Sequence, residues 1–76
     1  MTKEEKIDHI YHVLIADICM ARQEGRIPDT AKAVANMRKG VKRELKTGRF
    51  SEREAKEINE VITIAYCRVK QQQGRI

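Results

Sequence analysis

Two capping boxes and two glycines divide this chain into three helical segments. Thr2-Lys3-Glu4-Glu5 and Ser51-Glu52-Arg53-Glu54 both have the S/T-x-x-E form. In that form the hydroxyl accepts from the N–H three residues on, and the Glu carboxylate accepts from the cap's own N–H. Gly25 and Gly48 suit the left-handed position that follows a helix end. Pro28 disfavours helical geometry at Ile27, so the first helix cannot run through Arg26-Ile27-Pro28. Asp29 is the N-cap candidate for a second helix. The punctuation predicts helices over about 2–24, 30–47 and 52–72, with a fraying tail at 73–76.

Apolar spacing supports this division. At about 100° per residue, Ile7, Ile10, Tyr11, Leu14, Ile15, Ile18 and Ala21 share one arc of helix one. Ala55, Ile58, Ile62, Ala65 and Val69 alternate steps of three and four, the spacing of a packed seam, with Val61 and Tyr66 beside it. Helix two has a narrower stripe of Val34, Met37, Val41 and Leu45, and Gly40 interrupts it. That glycine marks either a close crossing or a weak point. Phe50 before the second capping box is placed to staple onto Ala55. The expected fold is all-α: a three-helix up-down-up bundle, walled mainly by helices one and three. With 76 residues it forms one domain, and so small a core gains from association into a dimer. Val13 and Met20 on helix one and Ile64 on helix three fall outside the core arcs. They are the candidate partner interface.

Composition removes several alternatives. Hydrophobic residues make up 41% of the chain, which argues against disorder. Tyr11, Phe50 and Tyr66 are the only aromatics, too few for a β-sandwich or for a base-stacking platform. No apolar run is long enough to span a membrane, and no secretory signal opens the chain, so a cytoplasmic location is expected.

Charge is concentrated in one place. The net charge is +5. Lys32, Arg38, Lys39, Lys42, Arg43, Lys46 and Arg49 stand against Glu44 alone. Residues 1–25, by contrast, carry five acidic side chains against three basic ones. Except for Arg49, which follows in the connection, the cations fall in a sector of about 140° facing away from the apolar stripe. They form a ridge roughly 25 Å long. Such a ridge is a solvated face, a phosphate-binding surface or a docking face for an acidic protein. The absence of interspersed acids favours a partner of negative sign.

Helix three is a poor recognition helix for an ordinary helix-turn-helix, because Glu52, Glu54, Glu57 and Glu60 would meet phosphates. Catalytic signals are sparse. His9, His12 and Asp8 share part of helix one, but no second ligand cluster accompanies them, and neither a metal nor another cofactor is expected. Cys19, at the edge of the core arc, reads as a small buried hydrophobe, and Cys67 as a tolerated free thiol. The expected function is a non-enzymatic nucleic-acid-binding protein, regulatory or architectural, acting through the helix-two ridge. The alternative is an adaptor or inhibitor that docks on an acidic or apolar protein surface.

Overall fold

The computed structural model describes residues 2–73, in which α1 spans Lys3–Gln23, α2 Thr30–Lys46 and α3 Glu52–Gln73. No strand occurs among the described residues. α3 runs on to Gln73, one residue past the expected helix end, and residues 74–76 of the expected tail lie outside the described ones.

Local hydrogen bonds set the helix ends. Thr2 Oγ1 accepts from the Glu5 N–H at 3.2 Å, and Glu5 Oε1 accepts from the Thr2 N–H at 3.3 Å. Ser51 and Glu54 repeat the exchange at 3.1 and 3.3 Å. Asp29 Oδ1 caps α2 by accepting from the Lys32 N–H at 3.0 Å. Both internal C-termini close in the same way. The Arg26 N–H donates to the Ala21 carbonyl and the Gly25 N–H to that of Arg22. The Arg49 and Gly48 N–H groups do the same to Glu44 and Leu45. This Schellman pairing requires a left-handed residue, and Gly25 and Gly48 supply it at φ +73° and +81°.

The core is built around α3. Ala55, Val61, Ile62, Ala65 and Val69 are buried there, joined by Ile7, Leu14 and Ile18 of α1 and Val34 and Val41 of α2. α1 makes the larger interface with α3, α2 the smaller, and α1 and α2 meet only slightly. The packing is that of a helical bundle. Only Val34 and Val41 are buried on α2, so its stripe is wide enough to cover one neighbour rather than two. Phe50, half-buried, packs against the cluster that contains Ala55, as a staple would.

Two expectations about burial are corrected. Cys19 is exposed rather than a small buried hydrophobe, because Ile18 takes the buried position and the next residue turns about 100° away. Leu45 is 37% exposed rather than part of the α2 core stripe. It lies in the last turn, where the chain just beyond offers only Phe50 and Ala55 as apolar neighbours.

Gly40 is not a close crossing. A methyl group placed there meets nothing within 4 Å, and the backbone is helical. Gly40→Ala is therefore expected to stabilise the fold by about 0.4–1 kcal/mol. The same change at Gly48 forces alanine into a left-handed conformation and is expected to destabilise by more than that. Urea unfolding of the two variants should show midpoint shifts of opposite sign.

Candidate nucleic-acid interface

Helix α2 carries six of the seven expected ridge cations, and the structure divides them. Lys32, Lys39, Lys42, Arg43 and Lys46 are exposed. None of them forms an ion pair among the described residues. Arg38 is half-buried and turned toward α3. Its guanidinium donates to Thr63 Oγ1 at 2.7 Å and to the Asn59 carbonyl and Oδ1 at 3.5 Å each. Arg49 pairs with Glu44 at 3.6 Å. Five of the seven cations thus have no side-chain partner among the described residues, in a sector of about 100° and over about 21 Å of helix. Arg43 and Lys46 lie in the last turn, where cations also complement the helix dipole. Lys32, Lys39 and Lys42 lie outside that turn.

Acid placement sharpens the contrast. Glu57 and Glu60 of α3 pair with Lys6 and Lys3 of α1 at 3.1 and 3.4 Å. Arg68 of α3 pairs with Asp8 at 3.0 Å and Glu4 at 3.6 Å. Four acids are therefore committed to the α1–α3 seam, and Glu54 serves a cap. Glu44, the only acid of the basic segment, lies about 100° around the helix from the nearest ridge cation and is held by Arg49. Each exposed pair is weak in itself. Together they tie four acids to three cations along the α1–α3 contact, while Asp17 and Asp29 line a cleft with Lys32 and Asn36 at the start of the α2 face.

The Arg38 contacts also bear on the helix-turn-helix geometry. Arg38 and Asn59 each lie about two turns from the α2–α3 connection, yet they touch. Helices crossing at roughly 90–120° would have separated by that point.

Other candidate positions fall elsewhere. Asp8, Tyr11, His12, Arg68, Gln71 and Gln72 line an open cleft of about 360 Å³ between α1 and α3. His12 Nδ1 lies 2.7 Å from the Asp8 carbonyl oxygen, while the Asp8 carboxylate is taken by Arg68. No three His, Cys, Asp or Glu side chains come together in a metal-holding group among the described residues. No helix among them is long and apolar enough to cross a membrane. Val13, Met20 and Ile64 are exposed to 41, 57 and 36%, the first two on the outer side of α1 and the third on α3.

Sequence reasoning passed over Asn36. It is exposed on α2, about 20° around the helix from Arg43. Its spacing of seven from Arg43 was the available signal. Compared with protein-family models, with curated proteins and with solved structures, the chain matches none.

Proposed function

We propose that this is a small, non-enzymatic nucleic-acid-binding protein of the cytoplasm, regulatory or architectural, that holds duplex phosphates with the α2 ridge. The observation that carries the reading is the set of five exposed cations, Lys32, Lys39, Lys42, Arg43 and Lys46, without an ion pair among the described residues. Lysine-rich faces of one sign are rewarded by counterion release from a phosphate backbone. An acidic protein surface is the second reading. Protein interfaces centre on aromatic or large aliphatic anchors, whereas nucleic-acid interfaces are polar and strongly positive. The ridge sector contains only Ala35 between its cations, which favours nucleic acid.

Fluorescence anisotropy with a labelled random duplex at several salt concentrations tests the reading. Binding is expected, with a log–log salt slope of up to about −4.5 for five phosphate contacts. Absence of binding at low salt would transfer the ridge to the acidic-protein reading.

The same proposal includes an up-down-up order of the three helices in each chain and association of two chains into a homodimer. Its basis is the exposure of Val13 and Met20, seven residues apart on α1, with Ile64 as a further candidate. A symmetric pair would bury these groups and present two ridges to one duplex. Sedimentation equilibrium is expected to give twice the chain mass, reduced to the chain mass by Met20→Glu. A wild-type chain that sediments as a monomer at high concentration removes the dimer from the proposal.

A further inference from the structure

Two side chains able to read base edges in pairs of hydrogen bonds, Arg43 at the edge of the ridge and Asn36 about 20° beyond it where it lines a cleft with Asp17 and Asp29, sit at a separation that suits a duplex. Sequence is read in the major groove mainly by arginine, which donates twice to guanine O6 and N7, and by asparagine or glutamine, which bonds adenine N6 and N7. Lysine positions the protein on phosphates as a point charge. Most such readers near the α2 face are already engaged within the fold. Arg38 is bonded to Asn59 and Thr63, which also occupies Asn59, and Arg49 pairs with Glu44. Asn36 and Arg43 remain. Both are exposed, and no side-chain hydrogen bond engages either among the described residues.

Their placement is coherent. Seven residues separate them, so they lie about 20° apart around α2 and about 10.5 Å apart along it. Base pairs rise about 3.4 Å each, so the two side chains reach bases about three steps apart. Lys32, Lys39, Lys42 and Lys46 lie on one flank of this line, within about 120° of Asn36. A helix lying in the groove would bring that flank to one phosphate strand. Between the two readers lies Gly40, where a methyl group would meet only open space. The surface there is low enough for bases to approach the helix.

Resting on the nucleic-acid reading, we infer that α2 enters the major groove of DNA, with Arg43 reading a guanine and Asn36 an adenine about three base pairs away. The four lysines hold the flanking phosphates. Specificity is modest, because only two side chains read bases.

The experiment is selection from a random-sequence duplex DNA library by the full chain, followed by anisotropy on the selected duplex. The expected product carries G and A at a fixed separation of about two to four base pairs. Arg43→Ala is expected to lose the guanine preference, with the salt slope falling by no more than about 0.9 for the one charge removed. Asn36→Ala is expected to lose the adenine preference alone. Each loss should be about 5- to 150-fold on the selected duplex against its single-base variant. Both residues are exposed, and thermal unfolding of each variant checks that the fold persists. Selection that returns no preferred bases, with salt-dependent binding retained, overturns this inference and leaves the ridge reading standing. A guanine preference that survives Arg43→Ala also overturns it. Failure of the wild-type chain to bind any duplex removes both readings together.

Discussion

Reversing Lys39 and Lys42 to glutamate is expected to remove measurable duplex binding at moderate salt while leaving the protein folded. Two of five phosphate contacts disappear. At about 0.1 M salt that loss alone is worth about a hundredfold in affinity, and two carboxylates facing phosphates repel beyond it. The salt slope should fall to about −2.7, the value for three remaining contacts. The fold should tolerate the change. Both residues are exposed, neither makes an ion pair among the described residues, and glutamate is as good a helix former as lysine. Arg38→Gln is the informative control. It releases Asn59 and Thr63, so it should cost about 1 kcal/mol of stability without changing the salt slope. An affinity and slope unchanged by the double reversal would show that α2 does not meet the duplex.

Truncating Leu14 to alanine is expected to unfold most of the molecule. Leu14 is fully buried and lies near the middle of α1, in the cluster shared with Val61, Ile62 and Ala65 of α3. Leucine-to-alanine changes at such sites cost about 2.7–5 kcal/mol, transfer and cavity terms together. A core of this size supplies only about 3–5 kcal/mol of net stability. The loss is comparable to the whole, so circular dichroism at 25 °C should show a large fall in helix content. Asp17→Asn, three residues later on the exposed side of α1, should change stability by less than about 0.5 kcal/mol. A Leu14→Ala protein that melts like the wild type would mean that α1 does not depend on this contact.

The contrast between these two positions of α1 shows how much of the fold was legible in the sequence. Helix ends were readable because their determinants are local. Thr2 with Glu5, Ser51 with Glu54, and the glycine closures all act within a few residues. The buried face of α3 was readable because steps of three and four leave one solution. Cys19 was misjudged because a residue at the edge of an arc is decided by the rotation of the helix against its neighbour. That rotation belongs to the packing. The charged face was legible as a patch and not as a site. Arg38 looked equivalent to Lys42 on a helical wheel, and only the approach of Asn59 and Thr63 withdraws it. The pairing of Glu57 and Glu60 with Lys6 and Lys3 likewise depends on how α1 lies across α3, over 51 and 57 residues of sequence. Long-range geometry therefore decided which charges remain free.

The small contact between α1 and α2 has a consequence for how the molecule opens. Each is anchored to α3, and neither covers the other to any extent. Local opening of α1 away from α3 therefore leaves most of the α2–α3 contact intact, and the reverse also holds. Amides in the middle of α3, covered by both partners, are therefore expected to form the slowest-exchanging segment. Those of α2, held by the narrower interface, exchange through a smaller fluctuation. The helix that presents the cations is thus also the one that can adjust its tilt with the least disturbance to the rest of the chain.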